Sequence, residues 1–377
     1  MKILVINWQD IKNPSSGGAE VHMHQIFSRL AKRNHEVTIL CSAFRDAPKD
    51  EFVDHIRIVR RGNRNLFNFY VKEMYRQLQR EYKFDIVVDD LNKIPFFTPT
   101  FIRGPLVTIV HHLFGKTIYK ETNPFFASYV YAAESLIPII YKKVPFVAVS
   151  DSTRKELIDK GIPQERIEII SNAVDPTIYN TIALPSPSAN RQIIGYVGRI
   201  KKYKSVDHLI IAFSKIANQF PQTEVTIVGD GDNIDMLKTL TLKLGLSSRV
   251  TFTGKVSEEE KVRLLRQMTF LVNPSAKEGW GLTVIEANAC GKTVIAANVP
   301  GLKDSVLDNR TGLLYEYGNI ESLANKMREL ITNQNLRVRL EEEAIRWAAN
   351  FTWENSADKM ETFLEKVIAQ HSRRSDS

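Results

Sequence analysis

Cysteine and long apolar runs are scarce in this sequence, and each scarcity excludes a class of protein. The two cysteines, Cys41 and Cys290, stand far apart and fit no metal-binding spacing, so we expect two small buried apolar groups in a reduced setting. The stretch closest to a membrane span, residues 125–141, contains Glu134 and Pro138 and is too short to cross a bilayer. The N-terminal apolar run ends after five residues and offers no cleavable signal. These features predict a cytoplasmic protein.

The length of the chain predicts two domains, since 377 residues are too many for one ordinary core. Short apolar runs such as KILVI and EVTILCS alternate with amphipathic stretches, which indicates parallel α/β sheets. Prolines, serines and asparagines over residues 172–191 are typical of a linker, after which the alternation restarts. We therefore predict an α/β protein of two doubly wound parallel-sheet domains, over residues 1–180 and 190–350.

The net charge of +8 is concentrated in one segment, Arg57 to Lys83, where eight basic residues face only Glu73 and Glu81. Such a run is most often a solvated helix face. The interleaved aromatic residues also fit an anionic membrane surface, where rings sit among the headgroups. Nucleic-acid binding ranks last, because no module signature accompanies the charge. The basic residues of this segment are Arg57, Arg60, Arg61, Arg64, Lys72, Arg76, Arg80 and Lys83.

Glycines between the first strand and the first helix are the first candidate for phosphate binding. Gly17 and Gly18 would let backbone N–H groups approach a phosphate at a helix N-terminus. A glycine pair alone is more often just a turn. The segment does not match G-x-G-x-x-G, which argues against a dinucleotide fingerprint.

Two cations follow the first strand of the second domain, where open α/β sheets bind their ligands. Arg199 and Lys204 suit a diphosphate, since arginine offers a planar fork and lysine a point charge. Ordinary surface salt bridges are the alternative interpretation. A structural role is also the usual one for a histidine, but the pair His111 and His112 follows a strand and would face the same cleft. No third metal ligand has suitable spacing, so no metal is expected.

The most informative stretch is NPSAKEGWGLTVIEANACGKTVIA, which places two carboxylates around a glycine-rich loop. Glu278, in the loop, could bind sugar hydroxyls. Glu286, inside the following apolar helix, needs a hydrogen-bonded partner if it is buried, and a ribose diol would supply one. The acidic pair Asp89 and Asp90 resembles a metal site, but in a fold of two α/β domains it would lie on an acceptor-side loop, and we expect either an acceptor contact or a surface position for it.

These motifs make the chain resemble glycosyltransferase family 4 over nearly its whole length. The carriers are GGAE, NHEVTIL, FVAVSDSTRKEL, SNAVD, VGRIKKYKSVDHLI, VGDGD, VTFTGKV and the E-x7-E stretch with Glu278 and Glu286. The resemblance implies the GT-B fold, in which two Rossmann-like domains face a cleft with the acceptor in the N-terminal one and the donor in the C-terminal one. It also implies that a last helix, at about 353–371, packs back on the N-terminal domain.

The resemblance further implies a role for each matching residue. The catalytic group would be Glu278, His111, Arg199 and Lys204, with Glu278 on the transferred sugar and both cations on the diphosphate. Glu286 would hold the ribose, and the backbone at Lys255 and Val256 would meet the base. The residues expected to bind the donor are Gly17, Gly18, Arg199, Lys204, Lys255, Val256, Glu278, Gly279, Trp280, Gly281, Leu282 and Glu286.

The function expected from this resemblance is retaining, metal-independent transfer of a hexose or N-acetylhexosamine from a UDP- or GDP-sugar. The acceptor would be lipid-linked or a cell-surface glycan, and the basic segment would bring the protein to the inner face of the membrane. A sugar-nucleotide epimerase or hydrolase of the same fold is the alternative enzyme, and a non-catalytic nucleotide-sugar binding protein is the alternative outside enzymes. The sequence leaves open the base, the sugar, the acceptor, the oligomeric state and which of His111 and His112 acts.

Overall fold

The structure is a computed structural model, and it describes residues 1–63, 66–91, 94–120, 123–181 and 191–375. The chain divides into two compact units. Unit 1 comprises Met1–Asn172 together with Trp353–Ser377, and unit 2 comprises Ala173–Thr352.

An eight-stranded sheet forms the centre of unit 1, in the order β3-β4-β2-β1-β5-β6-β7-β8. All pairs are parallel except β3 with β4. Its central strands are apolar over nearly their whole length, as expected of strands covered on both faces. The strands are β1 Lys2–Ile6, β2 Glu36–Ala43, β3 Asp50–Val53, β4 Ile56–Asn63, β5 Ile86–Leu91, β6 Leu106–Val110, β7 Phe146–Ala148 and β8 Ile167–Ile169.

Five helices connect these strands. They are α1 Gly18–Lys32, α2 Phe67–Tyr82, α3 Pro124–Ser135, α4 Ile137–Ile140 and α5 Asp151–Asp159, with short 3₁₀ turns at Thr98–Thr100, Gly115–Lys120 and Gln164–Arg166. Asn34 has φ of 66°, the left-handed conformation expected of it just past the end of α1. Cys41 is free and buried, as predicted. No helix in the described parts of the chain is both long and apolar enough to cross a membrane.

Unit 2 contains a six-stranded parallel sheet in the order β11-β10-β9-β12-β13-β14. Its strands are β9 Gln192–Val197, β10 Thr223–Val228, β11 Val250–Gly254, β12 Phe270–Asn273, β13 Val294–Ala297 and β14 Gly312–Tyr315. Its helices are α6 Val206–Ile216, α7 Ile234–Lys243, α8 Glu258–Gln267, α9 Leu282–Ala289, α10 Leu302–Ser305, α11 Ile320–Thr332 and α12 Gln334–Ala348, with a 3₁₀ turn at Lys202–Lys204. Ser257 caps α8 by accepting from the Glu260 N–H, the usual role of a serine at a helix N-terminus.

The final helix, α13 Trp353–Ser375, packs in unit 1 against α1. Its apolar residues Trp353, Met360 and Leu364 are buried. Charged contacts border this seam: Arg33 on one side lies 2.7 Å from both Asp358 and Glu361 on the other.

The boundary between the units differs from the predicted one at residue 180. Residues 173–181 belong to unit 2, because their side chains and carbonyls bond to α8 and α9. The Tyr179 hydroxyl contacts Glu286 at 3.1 Å, and Arg266 donates to the Asn180 carbonyl at 3.1 Å. The remaining linker positions, 182–190, lie outside the described residues.

The basic segment predicted as one surface is split between a strand and a helix. Arg60, on β4, is fully buried and pairs with Asp10 at 2.7 Å and Glu51 at 2.6 Å, so its inclusion in a surface patch was wrong. A buried guanidinium requires such partners, and the loop after β1 supplies Asp10. Arg57 and Arg61 both pair with Asp50. Arg64 lies outside the described residues.

The exposed cations of the segment are therefore those of α2 and Lys83, which directly follows that helix. Lys72, Arg76 and Arg80 recur every four residues, and all three are exposed. Because that spacing places residues on one face of a helix, they form a basic stripe. Phe69, on the same helix, is 72% exposed.

Candidate active site

Most of the predicted site residues of unit 2 come after β9 or β12. These are the two neighbouring strands from which the chain adds further strands on opposite sides of the sheet. Strand β9 begins the unit and runs next to β12, and the chain proceeds outward from this pair on both sides. A crevice forms outside the carboxyl ends of such strands, and ligands of open α/β sheets bind there. Arg199 comes two residues after β9, and Glu278 comes five residues after β12.

Glu278 and Lys204 form an ion pair at this edge of the sheet. The Lys204 ammonium lies 2.5 Å from Glu278 Oε1, and both side chains are largely buried. Ser275, itself fully buried, donates to the same oxygen at 2.8 Å. Burial alone would lower the pKa of Lys204, but the charge and hydrogen bond of Glu278 raise it above its usual value. The structure thus brings together two residues whose functions were predicted separately.

Close backbone packing holds the loop that carries Glu278. Gly301 has φ of 82°, and a Cβ there would lie 2.2 Å from the Glu278 carbonyl oxygen, so only glycine fits. The Ala276 N–H donates to the Tyr203 carbonyl at 2.8 Å, which ties this loop to the one after β9. Gly281, at φ of 86°, is the N-cap of α9, whose first N–H groups have no acceptor within the helix.

Glu286 is buried inside α9 and is bound through only one of its oxygens. Oε1 lies 3.1 Å from the Tyr179 hydroxyl and 3.0 Å from the Lys261 ammonium. Oε2 is buried and has no hydrogen-bond partner among the described residues. Because a buried carboxylate oxygen without a partner is unfavourable, this oxygen points to a ligand with a hydroxyl or N–H donor.

The other predicted residues of unit 2 differ in how much they expose. Arg199 is exposed, and its guanidinium makes no ion pair with a described residue. Lys255, exposed, and Val256, half-buried, follow β11. Trp280 is buried against Phe351, with ring centroids 5.0 Å apart, and its indole Nε1 has no hydrogen-bond partner among the described residues. Gly279 and Leu282 are half-buried.

In unit 1 the glycine pair lies at the N-terminus of α1, as predicted. Gly17 precedes the helix, Gly18 is its first residue, and the Gly17 N–H donates to Glu20 at 2.7 Å. A Cβ on Gly18 would meet no atom within 4 Å, so open space lies beside it. This turn comes after β1, the strand from which the chain adds β2 on one side of the sheet and β5 on the other.

His111 is the histidine of the pair that lies against α1. It is buried after β6, and its Nε2 lies 2.8 Å from Asp90 Oδ1. Burial opposes its protonation, but the Asp90 charge and hydrogen bond, with a contribution from Glu20, raise the pKa of His111. His22 lies edge-on to His111 at 5.2 Å, and burial lowers the pKa of His22 to about 3, so it stays neutral. His112 instead contacts Phe114.

Asp89 and Asp90 do not lie on an exposed loop, which corrects the expectation from sequence. Both are fully buried on β5, because the polar groups they bind are also inside. Asp89 accepts from Thr98 at 2.5 Å and from Tyr141 at 2.7 Å. Burial raises the pKa of Asp89 to about 7.

Sequence reasoning missed several residues that shape the site. Ser275 stands in the motif but was not singled out. Tyr179 lies in the predicted linker, where no role was expected. Lys261 carries a detectable signal, since it follows Glu258 by three positions, a spacing that brings opposite charges together on a helix, and the two form an ion pair of 3.0 Å.

Two family models match the chain side by side. The model for "Glycosyltransferase Family 4" matches residues 16–178, and the model for "Glycosyl transferases group 1" matches residues 185–347. Between them they cover most of the chain. The chain belongs to glycosyltransferase family 4.

Relatives with known names are also glycosyltransferases. D-inositol 3-phosphate glycosyltransferase of Mycobacteroides abscessus is 35% identical over 48% of this chain and 41% of its own length. The corresponding protein of Rhodococcus jostii is 33% identical over 52% and 47%. The chain therefore spans less than half the length of these relatives. An uncharacterized glycosyltransferase of Methanocaldococcus jannaschii is 24% identical over 97% of this chain and 99% of its own length.

Several solved structures share the fold, and one of them is named as a glycosyltransferase. Sucrose-phosphate synthase from Thermosynechococcus elongatus has a TM-score of 0.83 at 20% identity, covering 98% of this chain and 99% of that one. Anabaena HepE, solved with UDP and glucose, has a TM-score of 0.76 at 20% identity, covering 97% and 100%. WaaG, involved in lipopolysaccharide biosynthesis, has a TM-score of 0.77 at 18% identity, covering 96% and 99%. The predicted GT-B fold class, with its two Rossmann-like parallel sheets, is confirmed.

Proposed function

We propose that this glycosyltransferase transfers a hexose or N-acetylhexosamine from UDP- or GDP-sugar, with retention and without a metal ion, to a lipid-linked or cell-surface glycan. The observation that carries the proposal is the arrangement at the carboxyl edge of the unit 2 sheet. This edge carries the ion pair of Glu278 with Lys204 and the exposed Arg199. It also carries Glu286, which has a buried oxygen without a partner among the described residues.

Each group suits one part of a nucleotide sugar. A diphosphate leaving group gains charge as the sugar departs, and Arg199 with Lys204 would stabilise that charge where other enzymes use magnesium. Glu278 would bind hydroxyls of the transferred sugar, and Glu286 Oε2 would accept from the ribose. The backbone at Lys255 and Val256 would meet the base. Relatives of the same fold, such as HepE, were solved with UDP, which supports a nucleoside-diphosphate donor.

Unit 1 is proposed to supply further groups for the donor and the surface that brings the protein to its acceptor. His111, held by Asp90, would meet the transferred sugar, and the N–H groups at Gly17 and Gly18 would approach the diphosphate. For a lipid-linked acceptor, the surface of α2 and α3 would bring the protein to the cytoplasmic face of an anionic membrane. Exposed aromatic side chains accompany the basic stripe of α2 there: the Asn68 amide reaches the Tyr129 hydroxyl at 3.5 Å, and Phe125 of α3 is 79% exposed.

The decisive experiment measures release of nucleoside diphosphate by the purified protein. UDP- and GDP-sugars are supplied with and without an extract of membrane lipids. Transfer predicts release that depends on the extract and a labelled sugar in the lipid fraction. A hydrolase would release nucleotide without the extract, an epimerase would change the sugar without releasing it, and a binding protein would do neither.

The same assay tests metal independence. We expect the rate to remain within about two-fold in excess EDTA, because fixed cations take the place of a metal at the diphosphate. Loss of turnover in EDTA that magnesium or manganese restores would contradict the proposal.

A further inference from the structure

Two side chains from separate parts of unit 2 hold Glu286 through the same oxygen. Tyr179 comes from the segment before β9, and Lys261 comes from α8. Both contact Oε1, at 3.1 Å and 3.0 Å, and neither contacts Oε2. Glu258 completes the cluster, since it pairs with Lys261 at 3.0 Å and also accepts from the Tyr179 hydroxyl.

Tyr179 and Lys261 both stay protonated in this cluster and can therefore act as hydrogen-bond donors. Burial, with the charges of Glu286 and Glu258, raises the pKa of Tyr179 far above its usual range, so it remains a donor. Burial alone would lower the pKa of Lys261, but the same two carboxylates raise it, so the ammonium stays charged. Lys261 therefore compensates a carboxylate that is itself only 4% exposed.

Holding one oxygen has a geometric consequence for the other. The last torsion of a glutamate side chain joins an sp³ to an sp² carbon and has only broad minima, so the carboxylate plane is not fixed by the side chain itself. The Lys261 ammonium fixes it from outside, together with the Tyr179 hydroxyl, whose single hydrogen is shared between Glu286 Oε1 and Glu258. Oε2 then keeps one direction, buried and without a partner among the described residues.

We propose that Tyr179 and Lys261 are positioning residues that aim Glu286 Oε2 at the ribose hydroxyls of the bound nucleotide. This inference rests on the proposed nucleoside-diphosphate donor. The two residues act through Glu286 and touch no part of the substrate. They determine how strongly the enzyme prefers a nucleotide with ribose over one whose sugar lacks the 2′- and 3′-hydroxyls.

The test compares binding of ribose and dideoxyribose nucleotides by calorimetry. The probes are UDP and GDP and their 2′,3′-dideoxy forms, and the variants are Tyr179→Phe and Lys261→Met, which keep most of the side-chain volume. The wild type should bind one ribonucleotide about ten- to a hundred-fold more tightly than its dideoxy form, as expected for hydrogen bonds to a charged group. Each variant should reduce that ratio to within about three-fold while its affinity for the dideoxy nucleotide stays unchanged.

The control is Arg263→Met, which removes another cation of α8 that pairs with Glu260 at 2.5 Å, away from Glu286. It should keep the wild-type ratio. Variants that retain the full ratio, or that lose affinity for both nucleotides equally, would overturn the positioning role while the donor assignment stands. A wild type that binds neither nucleotide, or does not distinguish the two sugars, would instead overturn the proposed function of Glu286. Thermal melts confirm that each variant is folded.

Discussion

At the scale of residues, the two carboxylates of the E-x7-E stretch differ in what surrounds them. Glu278→Ala removes the proposed contact with the transferred sugar, so turnover should fall. It also frees the Lys204 ammonium from its partner, so affinity for the nucleoside diphosphate is kept or rises. Glu286→Ala removes the proposed ribose acceptor, so that affinity should fall about ten- to a hundred-fold. Calorimetry with the nucleoside diphosphate and steady-state kinetics separate the two. Equal effects of both substitutions would contradict these assignments.

Asp89 makes stability depend on pH, because its folded-state pKa of about 7 exceeds the usual carboxyl value. The native state then binds the proton more tightly than the unfolded chain, so stability is full below about pH 4 and falls as pH rises through 7. Asp89→Asn keeps a neutral acceptor for Thr98 and Tyr141. Its stability relative to the wild type should rise by on the order of 2 kcal/mol between pH 5 and pH 8.

Denaturant unfolding at the two pH values measures this difference. Asp85→Asn, which changes an exposed carboxylate just before the same strand, serves as the control and should show no such trend. A stability difference for Asp89→Asn that is the same at pH 5 and pH 8 would show that Asp89 is already ionised in the folded protein.

At the scale of elements, α2 carries the basic stripe proposed to meet anionic lipid. Each cation near such a surface contributes on the order of 1 kcal/mol, and salt screens the attraction. Replacing Lys72, Arg76 and Arg80 with serine should therefore release the protein from anionic vesicles at low salt, while nucleotide binding stays intact. Co-sedimentation measures it. The control replaces three exposed cations of unit 2, Lys238, Lys243 and Lys303.

Both triple variants change the net charge equally, so the comparison isolates the position of the charge. If the unit 2 variant loses vesicle binding to the same degree, only overall charge matters. If the wild type does not bind anionic vesicles at low salt, α2 is a solvated helix face and a water-soluble acceptor is the better proposal.

The sequence predicted the elements well wherever chemistry is local. Apolar runs indicated the strands, and glycine turns indicated where strands end. Parallel strands place their carboxyl ends at one edge of the sheet, so the residues after those ends could be assigned to one site. Contacts between distant positions could not be predicted. The Tyr179–Glu286 contact joins residues 107 positions apart, and Arg60 is buried because Asp10, 50 positions away, is there to pair with it. Such partners become visible only once the chain is folded.

At the scale of the whole molecule, unit 1 is built from two stretches of the chain, and unit 2 lies between them in sequence. Unit 1 is complete only with α13, yet all of unit 2, residues 173–352, is encoded before that helix. All of unit 2 and the sheet of unit 1 are each contiguous in sequence, so each can form from its own stretch of chain.

This interruption sets a delay during protein synthesis. A ribosome adding roughly 5–20 residues per second needs about ten to forty seconds to pass through unit 2. Throughout that time the nascent first unit lacks α13, whose residues Trp353, Met360 and Leu364 are buried in the folded chain, and the face of α1 that packs against α13 is uncovered. We expect chaperones that bind exposed apolar segments to meet this chain at α1, and to leave it only when its last helix has emerged.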